Sequence, residues 1–279
     1  MFPVVHARQL SDAVFEMGIQ APAVARKAQA GQFLIVRVAE GGERIPLTFS
    51  DWSADDGWIR FIFMRVGKTT HQLSHLAVGD SLADVVGPLG VPTHVQDLGR
   101  VAVVGGGVGA AVAYPVARAM AAAGAEVTVI LGARNVGLLI LESEFRALPL
   151  KELIVTTDDG SVGRRDLVTA PLRELCETDA IDHAMAIGPA IMMKFCAATT
   201  REYDVPCTVS LNPIMVDGTG MCGACRVTVG GATKFGCVDG PDFDGHLVDF
   251  EELMSRQRVY ADDERLADAE YSQGCPCHA

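Results

Sequence analysis

The chain has 279 residues, of which 49% are hydrophobic and 21% charged, a composition that excludes intrinsic disorder and suffices for two or three folded domains. Its formal net charge of −12 argues against a nucleic-acid partner, because nucleic acids bind to basic faces. No apolar run approaches the length that spans a bilayer, and the N-terminus lacks the long apolar region of a secretory signal, so we expect a cytoplasmic protein with no membrane span.

Residues 1–98 are predicted to form a small β-rich domain. Short apolar runs at 33–38 and 58–66 are bounded by Gly and Asp turn residues, and the second run alternates in part. Repeated short strands separated by turn signals are typical of barrels. The first predicted element of the fold is therefore a β-barrel.

Within this segment, Arg44–Ser50 is a strand-like stretch that contains a proline, Pro46. Proline confines such a strand to a sheet edge or a bulge, and an arginine there can bind a dinucleotide phosphate through paired hydrogen bonds. The stretches 67–70 (G-K-T-T) and 87–90 (G-P-L-G) follow. Each of these, taken alone, is more often a turn or capping signal than a binding site.

Residues 99–205 follow a different pattern. An apolar strand at 101–111 runs into a glycine turn and an Ala-rich helix, and further strands are predicted at 126–134, 154–160 and 184–189. Strands that alternate with helices indicate a parallel, doubly wound sheet with helices on both faces. The second predicted element is an α/β nucleotide-binding domain.

The glycine turn of this domain fits the pattern G-x-G-x-x-A through Gly105, Gly107 and Ala110, and it also contains Gly109. Glycines there permit a tight turn, and the following helix start offers free N–H groups to a pyrophosphate. The alternative is that the glycines serve helix–strand packing only. Because the motif follows a strand and precedes a helix, it predicts a nicotinamide nucleotide site.

Two further strand ends are expected beside this turn. Arg134 closes the second strand, and Asp158 and Asp159 close the third. Ligands in doubly wound sheets lie outside the carboxyl ends of the strands. The two aspartates can accept from ribose hydroxyls and would repel a 2′-phosphate, which favours NAD over NADP. Their alternative role is that of ordinary turn residues.

Residues 206–279 contain four possible metal ligands at the spacing D-x4-C-x2-C-x11-C, which are Asp217, Cys222, Cys225 and Cys237. The run resembles the plant-type ferredoxin spacing, with an aspartate where the first cysteine would stand. Neighbouring glycines allow the backbone to fold around a compact 2Fe–2S cluster. Three thiolates and a carboxylate could also hold a structural zinc ion, which remains the alternative.

The other cysteines carry less information. Cys176 and Cys196 fall in predicted helices, where buried thiols are common core residues, and Cys207 lies outside the ferredoxin spacing. Cys275, Cys277 and His278 are predicted to belong to a mobile chain end, with a metal site as the alternative.

The order of these motifs resembles the ferredoxin–NADP reductase superfamily. Within it, the chain is similar to the electron-transfer subunits of the dihydroorotate dehydrogenase and sulfide dehydrogenase type and of electron-bifurcating ferredoxin:NADP oxidoreductases. The resemblance extends to about residue 255. It implies that an R-x-P-L-[ST] segment binds FAD, and that a G-x-G-T-like segment contacts the flavin phosphates, with Thr69 in place of the second glycine. These residues are Arg44, Pro46, Leu47 and Thr48, and Gly67, Thr69 and Thr70.

The resemblance also implies that the last segment binds a 2Fe–2S cluster through Asp217 and the three cysteines that follow it. Dihydroorotate-type subunits carry cysteine at the position of Asp217, whereas the bifurcating and sulfide dehydrogenase types carry aspartate. The aspartate therefore favours the latter two types.

The implied function is that of an electron-transfer subunit. Hydride would be exchanged between NAD(H) or NADP(H) and FAD, and single electrons between FAD and the cluster, in either direction and with no catalytic acid or base. The implied partner is a larger flavin or iron–sulfur subunit of an electron-bifurcating enzyme, or else of a dihydroorotate or sulfide dehydrogenase. A self-sufficient reductase that serves a free ferredoxin is one alternative, and a zinc-stabilised nucleotide-binding sensor is another.

Overall fold

The N-terminal strands pair into a near-closed antiparallel barrel in the computed structural model, which describes residues 1–96 and 98–274. The predicted tail residues Cys275, Cys277 and His278 lie outside the described residues. The strand order is β6-β1-β2-β5-β4-β3-β7. The elements are β1 (Phe2–Gln9), β2 (Val14–Gln20), α1 (Pro22–Ala25), β3 (Phe33–Arg37), β4 (Arg44–Ser53), β5 (Trp58–Met64), α2 (Lys68–Ser74), β6 (Ser81–Leu82) and β7 (Asp84–Leu89).

The barrel core is filled by apolar side chains that alternate along the strands. Ile19 of β2, Phe49 of β4 and Phe61 of β5 have no exposed surface, and each such side chain contributes about 2 kcal/mol through burial. The apolar runs at 33–38 and 58–66 form β3 and β5, and the prediction of a barrel is confirmed.

Strand β4 changes partners along its length. Its first half, Arg44–Thr48, pairs with β3, whereas its pairing with β5 begins only at Phe49. Pro46 therefore lies in a stretch that is paired on one side only, where the missing backbone N–H of proline breaks no ladder. The open side of this stretch is available to other groups.

The second segment forms a largely parallel sheet with the order β11-β10-β9-β8-β12-β13. The glycine turn predicted after the first strand lies between β8 and α3, and the predicted α/β architecture is confirmed. The elements are β8 (Arg100–Gly106), α3 (Gly109–Ala122), β9 (Glu126–Ala133), α4 (Glu142–Arg146), β10 (Glu152–Thr157), β11 (Arg164–Arg165), α5 (Thr169–Glu177), β12 (His183–Ile187), α6 (Ala190–Arg201) and β13 (Cys207–Ser210).

The third segment is not a free module. Its strand β16 pairs antiparallel with β13 and extends the sheet of the second segment, with Val209 opposite Phe243. The boundaries of the segments at 98 and 205 stay a prediction. The remaining elements are β14 (Arg226–Val229), β15 (Ala232–Phe235), β16 (Asp242–Asp244), α7 (Phe250–Gln257) and α8 (Ala261–Gly274).

Helix α3 joins the barrel to the parallel sheet. Its buried residue Val116 belongs to one apolar core that includes Val14 and Ile62 of the barrel together with the strands of the sheet. At the rim of this contact, Arg118 Nη1 lies 2.9 Å from Asp51 Oδ1, and the guanidinium covers the ring of Trp52. The helix thus sets the orientation of the sheet relative to the barrel.

A second junction lies at Asp242. Thr93, in the connection between barrel and sheet, donates its hydroxyl hydrogen bond to Asp242 Oδ2 at 2.6 Å, and Val91 N donates to Gly240 O at 2.7 Å. The Oδ1 atom of Asp242 is buried and has no hydrogen-bond partner within the described residues. Burial raises the pKa of the Asp242 carboxyl to about 6, although the bonds from Thr93 and Ser210 oppose this shift.

In the described part of the chain, no helix combines the length and the apolar character that a membrane span requires.

Replacement of Asp242 by asparagine is expected to raise the free energy of unfolding at pH 7 by up to about 3 kcal/mol, because the amide keeps an acceptor for Thr93 and removes a buried charge. The carboxyl has an ordinary pKa of 3.8 when unfolded and about 6 when folded. Its destabilising contribution is therefore absent below the lower value, grows as the pH rises between the two, and is complete above the higher value.

Urea unfolding of the wild type and Asp242→Asn over this pH range measures the difference. Asp244→Asn, on the same strand but exposed, is the control and should follow the wild type. Identical pH profiles for the wild type and Asp242→Asn would refute a buried ionised carboxylate at this junction.

Candidate functional site

The predicted flavin-binding stretch of β4 presents alternate residues to its two faces. Ile45 and Leu47 pack against the barrel core, so Arg44, Pro46 and Thr48 lie on the opposite face. Leu47 therefore shapes the site from the core side. The face with Arg44 and Thr48 is the one that can meet a ligand.

The second predicted flavin segment forms the loop that leads into α2. The hydroxyl of Thr70 accepts hydrogen bonds from Val66 N and Gly67 N, each at 3.0 Å, and donates to Gly67 O at 2.8 Å. These bonds use the full capacity of a hydroxyl. The buried Thr69 donates its hydroxyl to the carboxylate of Glu43. The two threonine hydroxyls hold the loop in shape, which leaves backbone N–H groups as its means of contact with a phosphate.

The guanidinium of Arg44 contacts the third segment, which begins at about residue 206 and is called the cluster segment below. Its Nε donates to Val216 O at 3.1 Å, and its Nη2 lies 3.5 Å from Asp217 O. The two regions are more than 170 residues apart in the sequence, so no local pattern could have revealed this contact. The strand predicted to bind flavin thus directly meets the candidate cluster loop, which comprises residues 211–225 between β13 and β14.

The glycine turn of the parallel sheet is closely packed. Gly107 has φ +56°, a backbone conformation that favours glycine, and its N–H donates to Gly132 O at 2.8 Å. A Cβ atom at Gly109 would lie 2.3 Å from Ile187 O, and one at Gly105 would lie 3.2 Å from the Cα atom of Ala110. The turn therefore brings the start of α3 to the carboxyl ends of β8, β9 and β12.

Arg134, Asp158 and Asp159 lie together at the same edge. Asp158 N donates to Ala133 O at 3.1 Å, and Asp159 N donates to Arg134 O at 3.2 Å. The side chain of Asp159 accepts from Ser161 N at 2.9 Å, and hydrogen bonds from Ser161 lower the pKa of the Asp159 carboxyl. Asp159 thus supports the turn through one carboxylate oxygen, and both aspartates are exposed, so their predicted role in nucleotide binding stays a prediction.

The sequence reasoning missed two contributors to this edge. Gly188 follows β12, and a Cβ atom there would lie 3.1 Å from Gly106 O. The sulfur of Met192, in α6, occupies the space next to Gly106. The signal that could have found them is the Ile-Gly-Pro sequence at the end of β12, because it repeats the strand–glycine–helix pattern of β8.

In the cluster segment, Cys225 and Cys237 meet in a buried position. Their sulfur atoms are 3.1 Å apart, both are free thiols, and they share a small apolar core with Phe33 and Ile35 of β3. Burial, with a further contribution from the hydrogen bond with Cys225, raises the pKa of the Cys237 thiol well above its ordinary value. Two of the four predicted ligands are therefore already side by side against the barrel.

Asp217 and Cys222 are joined through the loop backbone. The carboxylate of Asp217 accepts from Thr219 N and from Cys222 N, each at 2.9 Å. These bonds, with that of Thr219 the stronger, lower the pKa of the Asp217 carboxyl. Cys222 is exposed. A carboxylate oxygen keeps a further lone pair after accepting one such bond, so these contacts are compatible with ligation.

Among the described residues, no three His, Cys, Asp or Glu side chains already surround a common point suited to a metal ion. The donor set nevertheless fits an iron–sulfur cluster in its chemistry, because thiolates are the ligands that such clusters use and the loop that carries them is rich in glycine. Gly218, Gly220 and Gly223 all have positive φ values, of +75°, +84° and +69°.

Gly218 also lets the loop lie against the barrel. A Cβ atom there would come within 2.7 Å of Leu89 Cδ1 and 2.9 Å of Ile35 Cγ1. The loop that contains Asp217, Cys222 and Cys225 is therefore seated on β3 and β7, beside the strand predicted to bind flavin.

A barrel followed by a parallel nucleotide-type sheet is the fold of the ferredoxin reductase-like proteins. A ferredoxin NADP+ reductase from Neisseria gonorrhoeae shares this fold at 15% identity, with a TM-score of 0.61 over 72% of this chain and 90% of its own. A family model for the iron–sulfur cluster binding domain of dihydroorotate dehydrogenase B matches residues 212–249.

Two relatives are much closer. The Thermotoga maritima homolog of the dihydroorotate dehydrogenase B (NAD(+)) electron transfer subunit is 47% identical over 95% of this chain and 93% of its own. A chain in the structure of NADH-dependent reduced ferredoxin-NADP oxidoreductase, a system of flavin-based electron bifurcation, is 45% identical, with a TM-score of 0.90 over 97% and 98% of the two chains.

The chain belongs to the family of dihydroorotate dehydrogenase B electron-transfer subunits. The resemblance inferred from the motifs is thereby confirmed, as are the predicted oxidoreductase class and the role of electron-transfer subunit. The predicted use of FAD, an iron–sulfur cluster and NAD(P) agrees with the family and the fold. The residue-level roles stay predictions.

Replacement of Gly218 by alanine is expected to destabilise the protein by about 2–4 kcal/mol, because strain at positive φ adds to overpacking against β3 and β7. Gly41→Ala is a matched control, since Gly41 also has φ +75° but a Cβ atom added there would have no neighbour within 4 Å. The control should lose only about 1–2 kcal/mol. Urea unfolding measures both values, and equal losses would show that the loop does not need close contact with the barrel.

Proposed function

We propose that this subunit exchanges hydride between NAD(H) and FAD, and single electrons between FAD and a 2Fe–2S cluster, on behalf of a partner subunit. The observation that carries the proposal is the contact of Arg44, on the flavin strand, with the backbone of the cluster loop at Val216 and Asp217. A bound flavin supplies the conversion between a two-electron hydride and single electrons.

In this proposal the residues of the chain bind FAD and the nucleotide, orient them and exclude water. The outer face of β4, with Arg44 and Thr48, would hold FAD, while the loop at Gly67 would meet its phosphates. The glycine turn and Asp158 would hold the nucleotide, and α3 would aim it at the barrel because the helix packs on both domains. Asp158, whose negative charge would repel a 2′-phosphate, supports NAD(H).

Asp217, Cys222, Cys225 and Cys237 would hold the cluster. The support is the contact of the two buried sulfur atoms and the hydrogen bond between the Asp217 carboxylate and Cys222 N. The free state of the described cysteines also supports work in a reducing compartment such as the cytoplasm.

The partner would be a larger flavin or iron–sulfur subunit that docks next to the cluster loop. Met221 is 87% exposed beside the exposed Cys222, and Val216 and Val238 are exposed nearby in the same segment. An apolar surface of this kind suits a protein partner. The similarity to the bifurcating system and the aspartate at 217 favour a bifurcating enzyme over a dihydroorotate dehydrogenase.

The absorption spectrum of the purified chain, with flavin and metal analysis, tests the proposal. We expect a yellow-brown protein with FAD and about two irons per chain. NADH should bleach the flavin faster than NADPH and support the reduction of artificial acceptors. A colourless protein with zinc would instead favour the nucleotide-binding sensor, and full turnover with free ferredoxin would favour a self-sufficient reductase.

Ligation by Asp217 has its own test. Asp217→Cys should keep the cluster but change its reduction potential and EPR signal, because a thiolate replaces a harder oxygen donor. Asp217→Ala should lower the iron content. If neither substitution changes the iron content or the spectrum, Asp217 is a loop residue and not a ligand. Cys207 does not offer a replacement, because it is buried in the core of the parallel sheet with Cys176 and Cys196 and not beside Cys225 and Cys237.

A further inference from the structure

Two consecutive residues, Glu43 just before β4 and Arg44 at its start, contact two different loops. Glu43 accepts the hydroxyl hydrogen bond of Thr69 in the predicted flavin-phosphate loop. Arg44 donates to the carbonyl groups of Val216 and Asp217 in the cluster loop. The same short stretch of backbone is therefore tied to both of the sites that an electron would visit.

We propose that Arg44 is a positioning residue for the cluster loop, and that through it the binding of FAD and the order of the cluster loop are coupled. The proposal deepens the function proposed above and depends on it, because it assumes flavin at β4 and a cluster at the loop. It assigns to Arg44 a role beyond the contact with a flavin phosphate that the family resemblance implies.

The geometry of the guanidinium supports this double role. Nε and Nη2 lie on one edge of a rigid plane, and here they face two successive backbone carbonyls. The plane has more N–H donors than these two bonds use, so its other edge can still meet a phosphate. A lysine carries the same charge but has no second donor in a fixed orientation, so it can contact a phosphate without holding both carbonyls.

The position of the contact in the loop explains why it matters. Met215, just before it, is buried in the apolar core shared with Ile35, and Gly218, just after it, lies against the barrel. Between them, Val216 exposes its side chain and gains no such packing. Within the described residues, the side-chain hydrogen bonds to the carbonyls of Val216 and Asp217 come from Arg44.

The effect of Arg44 extends to the candidate ligands through Asp217. Its contact fixes the backbone of Asp217, and the Asp217 carboxylate in turn holds Thr219 N and Cys222 N. A ligand that orders Arg44 from the flavin side would thus order the loop on the other side. Because such coupling is reciprocal, an ordered cluster loop would also favour flavin binding.

The test measures the release of iron from the purified holoprotein to a chelator, together with FAD content and the EPR spectrum. When compared at equal FAD content, Arg44→Lys should release iron about fivefold faster or more than the wild type, with an altered EPR line shape. Arg37→Lys is the control, since Arg37 lies directly opposite Arg44 on β3 but pairs with Asp84. It should behave as the wild type in all three measurements.

If Arg44→Lys releases iron at the wild-type rate and has the wild-type EPR spectrum, the proposal is overturned, whether or not FAD is lost. A second measurement needs no variant and so does not depend on how Arg44→Lys folds. Wild-type protein stripped of FAD should release iron faster than the flavin-loaded protein, and equal rates would overturn the coupling. A wild-type protein that contains no iron would contradict the proposed function itself, which is a separate result.

Discussion

The position of the last segment on the barrel depends on the burial of two of its cysteines. Cys225 and Cys237 share an apolar core with Phe33 and Ile35, so the last segment cannot fold around its ligands without also seating itself on β3. The packing of this segment on β3 thus also determines where the predicted cluster site lies. Burying thiols that must ionise to bind metal costs free energy. Bound iron would offset this cost, because it would stabilise the thiolates at the same place.

Helix α3 has the corresponding role on the nucleotide side. Its apolar residues are shared between the barrel and the parallel sheet, and Arg118 closes the rim of that contact through Asp51 and Trp52. The barrel is therefore the common body to which both other parts are attached. A small shift at either contact would change the distance and orientation between the electron donor and the electron acceptor, which a protein of this class has to control.

Much of this could be read from the sequence because the signals are local. The strands β8, β9 and β12 are nearly continuous apolar runs with a glycine at or next to their carboxyl ends, and the four candidate ligands lie close together in the sequence, between residues 217 and 237. Other features have no local signal. Strand β1 exposes most of its side chains, and β16 is only three residues long with two aspartates, so neither shows an apolar pattern. The contact of Arg44 with the cluster loop depends on the tertiary fold alone.

The pairing of β16 with β13 also bears on how the protein avoids aggregation. An uncovered sheet edge can pair with other chains, and natural proteins shield such edges with short charged strands or with added structure. One edge of the parallel sheet ends in β11, which consists of two exposed arginines, Arg164 and Arg165. The other edge, β13, is covered by β16, which belongs to the cluster segment. Proteolytic loss of that segment would therefore remove the predicted cluster site and would also leave the edge strand β13 of the parallel sheet unpaired, so that it could pair with other chains.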